Sequence, residues 1–93
     1  MPNTPVMDLM EECRTNLKLR VVDMAKVIGV SRITYYKWMK GGNMRHTTLT
    51  GVEAILRKIT HIMREQHWPS GPEMTISSER RAERLLSLLS FYP

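Results

Sequence analysis

Apolar residues recur at intervals of three and four along most of the chain, which is the spacing of one face of an α-helix. The pattern predicts five helices, which cover residues 6–17, 21–28, 32–39, 48–66 and 78–93. The spacing leaves open whether residues 48–66 form one helix or break into two near Lys58. No alternating run of apolar and polar residues of useful length is present, so a β-sheet is not expected. The sequence therefore predicts an all-α fold.

Turn-forming residues divide these segments. Gly29 follows the second predicted helix and Gly41-Gly42-Asn43 follows the third, and glycine is favoured just after a helix end. Trp68-Pro69-Ser70-Gly71-Pro72 holds two prolines and a glycine in five residues, which argues against regular structure there. We therefore expect a main domain over residues 1–67, a linker or turn over 68–77 and a C-terminal helix over 78–93.

Positive charge is concentrated in the middle of the chain. Residues 1–13 carry a formal charge of −3, residues 14–64 carry +9 and residues 65–93 carry −1, which gives the net charge of +5. Such a concentration on a small domain is typical of proteins that bind a polyanion such as nucleic acid. A solvated surface that is merely rich in lysine and arginine has the same charge, so the charge alone does not decide between the two.

Several other classes of protein are disfavoured. The lone Cys13 excludes an internal disulfide and is typical of the reducing cytosol. No apolar run approaches the roughly 18 residues of a membrane span, and the first residues lack the pattern of a secretory signal. We therefore expect a cytoplasmic protein that does not associate with membranes.

The sequence offers no pattern for catalysis or for a cofactor. The spacing of Cys13 and the three histidines, His46, His61 and His67, matches no common zinc site. No Ser/His/Asp or Cys/His grouping and no glycine-rich phosphate loop is present. We expect no metal, no cofactor and no enzymatic activity.

The most informative stretch runs from Leu19 to Gly41, where two predicted helices are separated only by Gly29-Val30-Ser31. Ala25 is small where one helix can press against the other, and Gly29 allows the positive φ of a tight turn. The side chains expected to close the common core are Met24, Ile28, Val30, Tyr35 and Trp38. This is the arrangement of a helix-turn-helix, whose second helix can enter the major groove of DNA.

The stretch resembles the Cro/C1 (Xre-type) helix-turn-helix proteins of phages and bacteria. The family pattern is matched here by Met24-Ala25, Gly29-Val30-Ser31, Tyr35, Trp38 and Gly41. With its flanking helices the resemblance covers about residues 6–60, although Val21 and Val22 stand where the family often has a polar residue. It implies a lambda-repressor-like five-helix domain with an extra C-terminal helix. It further implies a sequence-specific regulator of transcription, a repressor of the small phage or plasmid type, that binds double-stranded DNA.

The resemblance also assigns DNA contacts to individual residues. Arg32, at the start of the second helix of the motif, is suited to a bidentate contact with guanine, and Ile33 to a thymine methyl group. The residues expected to contact bases are Arg32, Ile33, Tyr36 and Lys37. Tyr36 lies between the base-reading face and the DNA backbone, so a backbone contact stays open for it. The residues expected to contact phosphate are Ser31, Lys40, Asn43, Arg45 and His46, with Lys18 and Arg20 on the other side.

The C-terminal helix carries more apolar surface than one small core needs. Two uses of that surface remain open, since the helix either packs on its own domain or forms a two-fold dimer interface. For the dimer, which would bind a palindromic operator, the expected interface residues are Leu85, Leu86, Leu88, Leu89 and Tyr92.

A second class of function is a protein-interaction module built on the same helix-turn-helix scaffold. Such a module would bind a host or regulatory protein through the C-terminal leucines or through Tyr35-Tyr36-Lys37-Trp38. A gel-retardation experiment distinguishes the two functions, because a DNA-binding regulator retards DNA and a protein-interaction module does not. The sequence does not reveal the operator or the sign of the regulation.

Overall fold

A computed structural model describes residues 4–92 of the 93-residue chain. Within this range the chain forms six α-helices and no strand, so the predicted all-α fold is confirmed. The helices are α1 (Thr4–Asn16), α2 (Val21–Ile28), α3 (Arg32–Met39), α4 (His46–Glu65), α5 (Gly71–Thr75) and α6 (Ser78–Ser90). None of the helices in this range is long and apolar enough to cross a membrane.

Most helix boundaries lie close to those predicted. Both α2 and α3 begin and end at the predicted residues, because Gly29 ends α2 in the left-handed conformation and Ser31 caps α3. The segment that could have been one helix or two is the single helix α4, which is 20 residues long and begins at His46. Helical periodicity therefore located the ends of α2 and α3, where a turn-forming or capping residue marks the boundary.

The sixth helix, α5, lies in the segment expected to be a linker or turn, so the prediction of five helices was wrong. Pro72 lies in the first turn of α5, where the missing N–H is not needed for a helical hydrogen bond. Ser70 and Glu73 form a capping box at the same end. Proline therefore starts a short helix here and does not prevent one.

One hydrophobic core joins all of the longer helices. Helix α1 packs against α4, and α2 packs against both α3 and α6. Tyr35 and Trp38 are buried in this core, as predicted. The fully buried apolar side chains include Met10, Leu17, Met24, Tyr35, Leu56, Ile59, Ile62 and Leu85. Helix α6 is therefore part of the same domain as α1 to α4.

A buried arginine fixes α6 to the end of α1. The Arg81 guanidinium donates to the backbone oxygens of Leu17, Lys18 and Ile76 at 2.8, 2.9 and 2.8 Å. Lys18 adopts a positive φ of 53°, which turns the chain after α1. The positive charge thus lies just beyond the C-terminal end of α1, a favourable position for a cation.

A buried aspartate on α2 fixes the N-terminal end of α6. Asp23 on α2 accepts hydrogen bonds from Arg20 Nε at 2.7 Å and from Ser78 Oγ at 2.5 Å. The Ser78 hydroxyl in turn accepts a bond from the Arg20 backbone N–H at 2.9 Å. Burial alone would raise the pKa of Asp23, but the bonds from Arg20 and Ser78 outweigh it and hold the pKa below its ordinary value.

Candidate nucleic-acid interface

Helix α3 is placed by the tight turn that precedes it. Gly29 has a φ of 91°, and both its own N–H and that of Val30 bond to the Ala25 carbonyl at 2.8 and 2.9 Å. Ser31 then starts α3, because its Oγ accepts a hydrogen bond of 3.1 Å from the Thr34 N–H. The same hydroxyl donates to Thr34 Oγ1 at 3.0 Å. The predicted phosphate contact Ser31 therefore lies at the start of α3 as its N-cap.

The inner face of α3 is anchored in the core. Tyr35 and Trp38 are buried, and the Tyr35 hydroxyl donates to Glu11 on α1 at 2.7 Å. Glu11 also accepts two bonds of 2.8 Å from Arg14. The bonds from Arg14 and Tyr35 hold the pKa of Glu11 below its ordinary value in spite of partial burial. These contacts fix which side of α3 faces solvent.

The outer face of α3 forms a shallow open depression of about 430 Å³, here called the α3 depression. It is lined by Arg32, Ile33, Tyr36, Lys37 and Lys40. The structure thus brings together all four residues that were expected to contact bases. Lys40, one of the expected phosphate contacts, lies beside them.

A second depression, here called the α3–α4 depression, adjoins the first and has a volume of about 510 Å³. Its lining includes Lys37, which belongs to both depressions, together with Asn43 and Arg45, two expected phosphate contacts. The remaining lining residues are Thr34, Trp38, Gly42 and Thr48. His46 is exposed as the first residue of α4, so the expected phosphate contacts after α3 lie in one short stretch.

Two glycines make the turn between α3 and α4 tight. Gly41 has a φ of 94°, and the Gly42 N–H bonds to the Lys37 carbonyl at 2.8 Å. A Cβ atom at position 42 would lie 2.8 Å from that carbonyl oxygen, which is closer than real contacts allow. The absence of a side chain at Gly42 therefore lets the chain pass directly beside Lys37 on its way to Arg45.

The charge of this region is not balanced by nearby acids. Residues 24–52 contain five bases and neither Asp nor Glu. Elsewhere Arg14, Arg20 and Arg84 form ion pairs with Glu11, Asp23 and Glu73. By contrast, no ion pair within residues 4–92 involves Arg32, Lys37, Lys40 or Arg45. The two depressions therefore present cations whose charges are available to an anionic ligand.

Lys18 and Arg20 lie apart from the two depressions. Lys18 follows α1, and its carbonyl accepts a bond from Arg81. The Arg20 guanidinium forms an ion pair with the buried Asp23, with its Nε 2.7 Å from Oδ2. Their expected phosphate contacts stay a prediction, and the structure does not place these residues beside α3.

The C-terminal apolar residues pack mostly on their own domain. Leu85 is fully buried in the core, so it leaves no side-chain surface for a second copy. Leu88, Leu89 and Tyr92 are half-buried, and the ring of Tyr92 meets that of His61 on α4 edge to face, with centroids 5.3 Å apart. Of the five expected interface residues, Leu86 is the most open, at 40% exposure. Phe91, which follows α6, is 85% exposed.

The structure adds residues that sequence reasoning did not assign. Thr34 and Thr48 line the α3–α4 depression, and Glu11 holds the hydroxyl of Tyr35. A buried tyrosine usually finds a partner for its hydroxyl, so the predicted burial of Tyr35 was a signal that a polar side chain had to lie nearby. Helical spacing could not identify that partner, because it is 24 residues away along the chain.

No cluster suited to a metal ion is found among the residues that the structure describes: no three His, Cys, Asp or Glu side chains come together there. Cys13 lies in the core, with its Sγ 3.9 Å from the Thr60 hydroxyl oxygen. Burial raises the pKa of the Cys13 thiol, which favours the less reactive neutral form. The expectation that the protein is not an enzyme stays a prediction.

Comparison with protein families, with curated protein sequences and with solved structures finds no match to this chain.

Proposed function

We propose that this protein is a sequence-specific, double-stranded-DNA-binding regulator of transcription, in which α2 and α3 act as a helix-turn-helix. The observation that carries the proposal is the α3 depression, where Arg32, Lys37 and Lys40 surround exposed side chains on a helix with a buried opposite face. An α-helix fits the major groove of DNA. The likeness of residues 19–41 to Cro/C1 (Xre-type) proteins supports the same function.

Each depression has a distinct role in the proposal. Apart from Lys40, the residues of the α3 depression contact base edges, with Arg32 suited to guanine because its guanidinium donates two parallel hydrogen bonds. The α3–α4 depression holds the DNA backbone through Asn43 and Arg45, and Ser31, Lys40 and His46 contact adjacent phosphates. Contacts to phosphate fix the position of the protein, whereas contacts to base edges provide specificity.

In the proposal the protein represses transcription by occupying a palindromic operator as a homodimer. One helix-turn-helix contacts few base pairs, and a two-fold pair doubles the contact surface. Leu86 and Phe91 remain exposed and supply apolar surface for self-association. Sedimentation equilibrium tests this step: the Leu86→Ser variant should dimerise more weakly than the wild type. A wild-type protein that stays monomeric both free and on DNA would overturn the dimer.

The competing function, a protein-interaction module, has less surface to use. Tyr35 and Trp38 are buried, so that segment offers only Tyr36 and Lys37 to a partner. Leu85 is equally inaccessible. The exposed part of α3 combines apolar and cationic groups. Such a surface is better suited to bind DNA than to bind an apolar surface of a partner protein.

Binding to DNA is tested by fluorescence anisotropy with labelled duplexes at several salt concentrations. The logarithm of the affinity should fall linearly with the logarithm of the salt concentration, with a slope of about −0.9 for each phosphate contact. Selection from a random duplex library then gives the preferred sequence and the spacing of half-sites. Binding that stays unchanged between about 50 and 200 mM salt would contradict the proposal.

Matched charge variants test the location of the interface. Arg45→Ala and Arg64→Ala each remove one exposed positive charge, but Arg64 lies on α4 beside a separate groove of about 240 Å³ between α1 and α4. Arg45→Ala should weaken binding and make the salt slope shallower by about one contact. Arg64→Ala should leave the slope unchanged. An equal loss of DNA affinity in the two variants would show that the overall charge of the protein, and not this interface, determines DNA binding.

A further inference from the structure

Two large apolar side chains lie exposed within the α3 depression. Ile33 is 65% exposed and Tyr36 is 43% exposed, and both line the α3 depression. They are three residues apart, so they are neighbours on the helix surface. Attraction to phosphate does not explain Ile33, because an isoleucine side chain has no charge and no hydrogen-bonding atom, and it leaves the exposed apolar ring of Tyr36 without a role.

The major groove of DNA presents one apolar group, the 5-methyl group of thymine. Against any other base edge, Ile33 would cover donors or acceptors without pairing them, which costs free energy. Against the methyl group it removes apolar surface of both partners from water, which is favourable. The ring of Tyr36 offers the same kind of surface one helical turn further on.

The spacing of the two side chains suits neighbouring base pairs. Three residues of an α-helix rise about 4.5 Å along its axis. The rise per base pair along one DNA strand is about 3.4 Å. A helix lying along the groove would thus bring Ile33 and Tyr36 to thymines one or two steps apart.

We infer that Ile33 and Tyr36 recognise thymine 5-methyl groups, so the preferred DNA half-site carries two closely spaced thymines beside the base pair that Arg32 contacts. The inference rests on the proposed function; it keeps the thymine contact expected for Ile33 and adds a second thymine, recognised by Tyr36, at close spacing. It makes Ile33 and Tyr36 determinants of specificity, whereas Lys40 and Arg45 determine mainly affinity.

The test uses the tightest-binding duplex recovered by selection from a random library. Each thymine is replaced in turn by deoxyuridine, which pairs with adenine in the same way and lacks only the methyl group. We expect two positions per half-site at which the replacement weakens binding about three- to fivefold, the effect of one buried methyl group. Replacement at the other thymines should change the affinity less than twofold.

Protein variants then connect each methyl group to its side chain. Ile33→Ala should bind the thymine and deoxyuridine duplexes equally at one of the two positions, and Tyr36→Ala at the other. Tyr36→Phe should keep the difference, because the ring and not the hydroxyl meets the methyl group. Leu9→Ala is the matched control, since Leu9 is a similarly exposed apolar residue, at 38%, on α1; it should retain both differences.

The outcomes separate this inference from the proposed function. Tight binding of a selected duplex with no sensitivity to deoxyuridine overturns the inference and leaves DNA binding intact. A sensitivity that persists in both Ile33→Ala and Tyr36→Ala also overturns it, because the methyl contact then belongs to other residues. Failure to bind any duplex overturns the inference together with the proposed function. Circular dichroism of each variant checks that these exposed substitutions leave the helices intact.

Discussion

The Tyr35 hydroxyl donates a hydrogen bond of 2.7 Å to the Glu11 carboxylate, and this bond joins α3 to α1 across the core. Burial, and then the bond to Glu11, raises the pKa of the Tyr35 phenol, so it remains a donor at any physiological pH. Glu11 is itself held by Arg14, whose Nη1 donates to the Leu19 carbonyl at 3.0 Å. These contacts therefore link α3, through Glu11 and Arg14 on α1, to Leu19 in the connection between α1 and α2.

Removal of this one hydroxyl should destabilise the protein measurably. Tyr35→Phe keeps the buried ring and loses a hydrogen bond to a charged group, which should lower the free energy of unfolding by about 1.5–3 kcal/mol. Urea denaturation followed by circular dichroism gives the value. Tyr36→Phe removes an exposed hydroxyl and should change the stability by less than about 0.5 kcal/mol. Equal stabilities of the two variants would show that the bond to Glu11 contributes nothing.

Acid should destabilise the fold through two carboxylates. The pKa of Glu11 is lowered, chiefly by its hydrogen bonds from Arg14, and that of Asp23 is lowered by Arg20 and Ser78 against the effect of burial. Because each folded-state pKa lies below the unfolded one, the stabilisation is present above the unfolded pKa and is lost as the pH falls through the folded pKa.

The pH dependence can be measured by urea denaturation at several pH values. The free energy of unfolding of the wild type should decline from about pH 5 downward, since ordinary carboxyl pKa values lie near 4. Asp23→Asn should be less stable at neutral pH and should show a shallower decline. If the Asp23→Asn profile runs parallel to that of the wild type, the carboxylate of Asp23 is not one of the groups responsible.

The sequence alone predicted those helices whose ends are marked by adjacent turn or capping residues and whose buried face is marked by helical spacing. The bounds of α2 and α3 followed from Gly29 and Ser31, and the burial of Tyr35 and Trp38 followed from helical spacing. The burial of Tyr35 and Trp38 in turn predicts that the exposed residues of α3 lie together, because residues outside the buried stripe of a short helix share the opposite face.

Contacts between distant residues were beyond the reach of the sequence pattern. Arg81 bonds to carbonyls 63 and 64 residues away, and Ser78 reaches Asp23 across 55 residues. Helical periodicity describes which face of a helix is apolar but gives no sign that a charged side chain on that face will find carbonyl partners. For the same reason the burial of Leu85 in the core of its own domain was not distinguished from a dimer interface.

Loss of Arg81 should weaken the attachment of α6 to the rest of the domain. Arg81→Met leaves the buried Leu17 carbonyl and its neighbours without their donor, and should lower the free energy of unfolding by about 3 kcal/mol or more. This is a large share of the total for a small domain. Arg80→Ala, an exposed change on the same helix, should shift the stability by less than about 0.5 kcal/mol. A midpoint of Arg81→Met in urea equal to that of Arg80→Ala would contradict the role of the buried guanidinium.

Two glycines should respond to the same substitution with opposite signs. Gly42→Ala places a Cβ atom 2.8 Å from the Lys37 carbonyl oxygen and forces the turn after α3 to move. We expect a loss of about 1–3 kcal/mol in the free energy of unfolding, together with weaker DNA binding, because Lys37, Asn43 and Arg45 are displaced relative to one another. Gly51 lies within α4, and a Cβ atom placed there would have no atom within 4 Å apart from its chain neighbours and the backbone of its own helix. Gly51→Ala should therefore stabilise the protein by about 0.5–1 kcal/mol through the better helix propensity of alanine.

Thermal denaturation and anisotropy titrations of the two glycine variants check both expectations. The Gly51→Ala variant serves as the control for DNA binding, because it gains stability without altering either depression. If Gly42→Ala unfolds at the wild-type temperature, the backbone at position 42 adjusts without strain. If it is destabilised but binds DNA as tightly as the wild type under conditions where it is folded, the turn is needed for the fold alone, and the α3–α4 depression does not position the groups that hold the DNA.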